Sequence, residues 1–103
     1  MPRRLGQATI AILLALRDGR RYGLDIMDCT ELPSGTVYPT LGRLEDRAYV
    51  RGRWEATSAA SAEGRPRRRY YELTAAGEAA LDDALGQMRA LAARAGEPRR
   101  SEA

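Results

Sequence analysis

Apolar positions along the chain fall into three helical stretches, two short alternating runs and a longer helical stripe. Ile10, Ala11, Leu13 and Leu14 recur at helical spacing, which predicts a first helix over Gln7–Arg17 stopped by Gly19. Leu24, Ile26 and Met27 mark a short second helix over Tyr22–Thr30, and Pro33 breaks it. Ser34 then offers a helix cap, and a third helix is expected to run to about Ala48. Its apolar members Val37, Leu41, Leu44 and Ala48 are spaced by four, three and four and share one face. Gly35, Pro39, Gly42 and Asp46 lie opposite, and Thr36, Thr40, Arg43 and Arg47 line a flank. Pro39 removes one intrahelical bond and should distort the amino end.

Val50–Glu55 and Arg67–Leu73, rich in Val, Trp, Tyr and Arg, read as the strands of a hairpin with a long, loose tip at Ala56–Arg65. Thr74 opens a last helix over Ala75–Ala95, with Glu78 standing as the acid of a capping pair. Leu81, Leu85, Met88 and Ala92 form a stripe of three–four spacing with Leu91 beside it, as in a helix that packs along another helix. Three helices followed by a hairpin is the order of a winged helix-turn-helix. The expected class is therefore mostly α (α+β), with a two-stranded wing and a C-terminal dimerisation helix. The boundaries are 1–73 for the winged part, 74–95 for the last helix and 96–103 for a flexible polar tail.

Length and charge sharpen this picture. With 103 residues, part of them in the Ala/Ser-rich tip and the tail, the core of one chain is thin and invites a partner copy. From Arg47 to Tyr70 seven arginines face two acids, a net +5, whereas Tyr71 to Ala95 carries a net −2. A polyanion on one side fits that asymmetry, although solvated arginines fit it too. All 17 basic residues are arginine. That bias, beside abundant alanine, points to a GC-rich genome and lowers the weight of arginine counts alone. No apolar run approaches the ~20 residues of a membrane span, and the start lacks a secretory pattern. A single cysteine suits a reducing cytoplasm. Flanked by acids, Cys29 lacks the electropositive setting of reactive thiols, so redox sensing is not expected. With no histidine, no nucleophile–base pair, no phosphate-cradling glycine loop and no metal-ligand cluster, neither an enzyme nor a metal or cofactor site is expected.

Three strings resemble one family. Ser34-Gly35-Thr36-Val37-Tyr38-Pro39-Thr40-Leu41-Gly42-Arg43-Leu44-Glu45 resembles the recognition-helix signature of the PadR family of bacterial transcription regulators. Tyr22-Gly23-Leu24-Asp25-Ile26 resembles the start of that family's second helix. Gly64 to Gly77, with Arg65-Pro66-Arg67-Arg68-Arg69-Tyr70-Tyr71-Glu72-Leu73-Thr74 inside it, resembles the wing return strand and the start of the dimerisation helix. The resemblance implies a homodimeric repressor that binds an inverted-repeat operator in double-stranded DNA, of the small subfamily with one C-terminal helix. The DNA-contacting set would be Tyr22, Ser34, Gly35, Thr36, Tyr38, Pro39, Thr40, Arg43, Arg65, Arg67 and Arg68, and the dimer seam Leu81, Leu85, Met88 and Leu91. For Tyr38 the alternative is packing on the second helix, and for Arg43 and the wing arginines it is solvated surface. Trp54 reads as a structural stack at the wing base.

Two departures stand out. The family has glycine where Ala48 stands, and the second helix is short before Pro33. Some small members bind planar drugs through an aromatic residue on the last helix, and here that helix has none, so a small-molecule effector is left unassigned. A winged helix used as a protein-binding adaptor or anti-regulator is the alternative function. Basic residues on both the third helix and the wing favour DNA over it.

Overall fold

The computed structural model describes residues 4–96. Three helices, α1 (Gln7–Arg17), α2 (Gly23–Thr30) and α3 (Ser34–Asp46), precede an antiparallel hairpin of β1 (Val50–Trp54) and β2 (Arg69–Leu73). A short helix α4 (Thr57–Ala62) sits between the strands, and α5 (Ala75–Ala95) closes the chain. This is a winged helix-turn-helix followed by a long helix. The expected tail beyond Gly96 lies outside the described residues.

One core binds these elements. Ile12, Leu13, Ile26, Val37, Leu41, Leu44 and Leu81 are almost fully buried, with Val50 and Tyr71 from the hairpin beside them. The hairpin register pairs Val50 with Leu73 and Trp54 with Arg69. Strand alternation therefore turns Val50, Gly52 and Trp54 toward α3 and Arg51 and Arg53 away from it. Tyr22 bridges to Tyr70, and the Tyr71 N–H donates to the Arg21 carbonyl at 2.7 Å, which fastens the start of α2 to the hairpin.

Several local expectations are corrected. Pro33, not Ser34, caps α3: its carbonyl accepts from the N–H groups of Thr36 and Val37, and Ser34 is already helical. Pro39 lies inside α3 and leaves the Gly35 carbonyl without its usual donor, on the exposed side of the helix. Ala48 is not part of the buried face. The helix ends at Asp46, and Ala48 adopts φ 60°, a left-handed conformation that turns it to solvent. Leu24 is exposed as well. The hairpin tip is not loose: α4 buries Ala60 within it. At α5, Thr74 caps by accepting from the Gly77 N–H at 3.0 Å, so Gly77 holds the place assigned to Glu78.

Leu81 is fully buried and belongs to the core of its own chain, which removes it from the expected seam. A helical wheel shows an apolar face but not what covers it. Leu85 packs partly against the same core, whereas Met88 and Leu91 stand 47% and 55% exposed. Among the described residues, no helix is long and apolar enough to cross a membrane.

Candidate nucleic-acid interface

The amino half of α3 presents Ser34, Gly35, Tyr38 and Pro39 to solvent, with Thr36 half-buried. The first N–H groups of a helix have no intrahelical acceptor, so this end favours an anion. Tyr38 packs on the second helix, the alternative expected for it, and stays 46% exposed. Its phenol rests on Gly23, where a Cβ would overlap the ring. Gly23 is thus the gap that lets the third helix sit against the start of the second.

Thr40 is 2% exposed, so it is withdrawn from the contact surface. Its hydroxyl oxygen instead accepts from the Arg43 guanidinium at 3.0 Å. Thr40 holds Arg43, which is itself exposed. Arg4, Arg43 and Arg47 line a cleft of about 170 Å³ with Leu5, Gly6 and Thr9. Arg4 and Arg47 beside Arg43 make this edge of α3 attractive to a nearby phosphate.

The wing is braced by a carboxylate. Glu55 is buried and accepts from both terminal nitrogens of Arg65 at 2.5 and 2.7 Å, from the Arg68 N–H at 3.2 Å and from the Tyr70 hydroxyl at 3.1 Å. The Arg65 hydrogen bonds, helped by the Arg68 amide and Tyr70, hold its carboxyl at about 2, below the usual 4.5, against the opposing effect of burial. Arg65 also pairs with Glu63. Its guanidinium is therefore spent on the wing itself, a correction to its place among the DNA contacts.

A pH dependence follows from Glu55. Its folded pKa is depressed, so the unfolded chain binds more protons between pH 4.5 and 2. The stabilisation is full above about pH 4.5 and is lost as pH falls toward 2. Glu55→Gln is expected to lower the thermal midpoint at neutral pH and to flatten its decline through that window. Melts of both proteins from pH 7 to pH 2.5 check this; parallel curves would show that Glu55 does not set the acid response.

Arg67 and Arg68 remain available. The Arg67 Nε donates to the Glu55 carbonyl at 2.9 Å, its terminal nitrogens have no hydrogen-bond partner among the described residues, and the side chain is exposed. Arg68 lies over the Tyr22 ring at 4.3 Å, so Tyr22 supports an arginine and does not stand out alone. Arg69 is fixed by Glu45 of α3 at 2.9 Å, across Gly52, where a Cβ would crowd both groups. The pair ties the wing to the third helix. Tyr22, Tyr38, Trp54, Arg67 and Arg68 then line one groove of about 400 Å³ between the helices and the wing.

Some candidates escaped the sequence reading. Arg51 and Arg53 line a cleft with Arg21 and Tyr70 on the outer face of the hairpin, which strand alternation could have placed. Arg4 reaches α3 only through the packing of α1, and no local pattern signals that. Trp54, expected as a structural stack, is 56% exposed.

The sequence model of the transcriptional regulator PadR-like family matches residues 12–83. Among solved structures, the chain is similar to a PadR family transcription regulator from Clostridium difficile R20291. The identity is 25% over 84% of this chain and 91% of the other, with a TM-score of 0.73. It is also similar to a PadR-like transcription factor from Bacteroides fragilis, at 28% identity over 84% of each chain and a TM-score of 0.71. No curated protein matches the chain.

Proposed function

The chain belongs to the PadR-like family of transcriptional regulators, and from that premise we propose that it is a homodimeric repressor of the cytoplasmic nucleoid. Each subunit reads one half of an inverted-repeat operator. The observation that carries this reading is the groove between the wing and the helices, with Arg67 and Arg68 on the wing side and Tyr38 of α3 beside Gly23 and Leu24 of α2 on the other. The contacts are Ser34, Gly35, Thr36, Tyr38, Pro39 and Arg43 in the major groove, and Arg67 and Arg68 on the flanking backbone. Arg43, held by Thr40, is the base reader, because a fixed guanidinium pairs bidentately with guanine. An adaptor reading is disfavoured by the basic residues on both α3 and the wing, Arg43 on the helix with Arg47 at its end, and Arg67 and Arg68 on the hairpin.

Dimerisation rests on the outer half of α5, where Met88 and Leu91 are not covered by the described residues of the same chain. The proposal is tested by mapping bound DNA genome-wide and reading the recovered motif for two-fold symmetry. A salt-dependent electrophoretic shift on that motif completes the test. No enriched motif, or binding that ignores salt, would sink it.

Arg67→Ala is expected to weaken binding to the mapped site and to a random duplex about equally. The slope of log affinity against log salt should fall by about 0.9, the value for one phosphate no longer neutralised. Arg65→Ala should leave that slope unchanged, since its charge is already matched by Glu55 and Glu63. Titrations at several salt concentrations check both; an unchanged slope for Arg67→Ala would take the wing off the DNA.

A further inference from the structure

Trp54 is the single tryptophan of the chain and stands at the end of β1, on the strand face that turns Val50 into the core. Four residues beyond Val50, the same face has run past the core and opens into the groove between α3 and the wing. The indole is more than half exposed there, although a ring of this size usually covers itself. Two guanidiniums hold it in place. Arg67 and Arg69 lie 5.5 and 5.4 Å from the ring centre, and Arg69 is itself pinned by Glu45 of α3. Leu24 and Tyr38, also exposed, line the groove opposite. The groove therefore offers apolar surface flanked by positive charge.

A deoxyribose–phosphate strand has the same two components, an apolar sugar edge beside an anion. A bare apolar partner would leave Arg67 unmatched. A simple anion would leave the rings wet.

We propose that Trp54 packs against the sugar–phosphate backbone of bound duplex DNA, and that Arg67 beside it takes the adjoining phosphate. The inference rests on the DNA-binding reading above. It assigns to Trp54 a contact that is uncharged and independent of base sequence, placed where the wing meets the third helix.

The test uses the full chain and a duplex carrying the mapped site. Wild-type fluorescence, which comes from Trp54 alone among tryptophans, should change saturably with the same stoichiometry as the electrophoretic shift. Trp54→Ala should weaken binding about five- to tenfold, on the mapped site and on a random duplex alike, while the salt slope stays at the wild-type value. Trp54→Phe should recover most of the loss. A Trp54→Ala protein with wild-type affinity overturns the proposal. So does one whose salt slope falls as in Arg67→Ala, because the ring would then only position the arginine. If wild-type protein shows no salt-dependent binding to any duplex, the DNA reading itself fails. Normal wild-type binding with unmoved fluorescence fails the Trp54 contact alone.

Discussion

A chain carrying both Met88→Asp and Leu91→Asp is expected to stay folded, to become a monomer and to lose ~100-fold or more in affinity for an inverted-repeat site. The apolar stripe of α5 is divided in two. Leu81 and Ala84 are buried in the core of their own chain, and Leu85 is partly so. One turn further on, Met88 and Leu91 face solvent, with no described element of the same chain over them. Charges at those two positions cost a monomer almost nothing, because the side chains are already wet. In a two-fold seam the same carboxylates meet their own copies in an apolar strip, where an unpaired buried charge is expensive.

Loss of the dimer uncouples two recognition helices that an inverted repeat needs about 34 Å apart. Each half-site then binds alone, and the effective concentration supplied by the linked partner disappears. Leu85→Asp is a poorer probe, since it strikes the monomer core as well. Light scattering, circular dichroism and a shift assay on one sample decide the matter. A double variant that remains a dimer places the seam elsewhere.

The third helix and the hairpin were legible because their signals are local. The apolar spacing of Val37, Leu41 and Leu44 is satisfied by residues within three turns. The Val, Trp and Tyr content of the strands likewise marks a pleated, half-buried surface. What failed was decided by neighbours distant in sequence. Thr40 sits about 60° from Val37 on the wheel, at the edge of the apolar arc. Packing of α1 and α2 around α3 widens that arc enough to bury it.

The wing tip has no periodicity, yet it folds a helical turn, because Glu55 reaches across ten residues to Arg65. The role of Arg65 was hidden for the same reason: neighbouring arginines look alike in sequence until one finds a buried acid. Ala48 continues the apolar spacing of α3 on paper, but the helix has ended at Asp46 and Ala48 is itself the left-handed residue of the turn that follows. Candidate contacts on α3 were thus readable as a set, and which of them point outward was not.

Gly77→Ala is expected to destabilise the protein by ~3 kcal/mol or more, although alanine is the better helix former. Gly77 lies in the first turn of α5, against the Tyr49 carbonyl. A Cβ there would overlap that backbone oxygen and press on Leu73, and backbone cannot swing aside as a side-chain tip does. The neighbouring bonds make the joint stiff. The Thr74 hydroxyl donates to the Ala48 carbonyl at 2.6 Å and accepts from the Gly77 N–H, while the Thr74 N–H donates to the Tyr49 carbonyl at 3.1 Å. The turn that links α3 to the wing is thereby docked on the start of α5. An added methyl must either break these bonds or tilt α5 away from that turn.

Gly86→Ala supplies the contrast. It lies more than two turns along the same helix, on the side away from Met88, with no atom near its absent Cβ. It should gain ~0.5–1 kcal/mol from helix propensity alone. Denaturant unfolding of the two variants beside wild type measures both signs. Because the joint also sets the angle between the reading helix and the proposed dimer helix, whatever Gly77→Ala protein stays folded should bind the operator more weakly, and Gly86→Ala protein should bind as wild type. A Gly77→Ala protein as stable and as tight as wild type would show that the α3–wing turn and α5 are not rigidly joined through this contact.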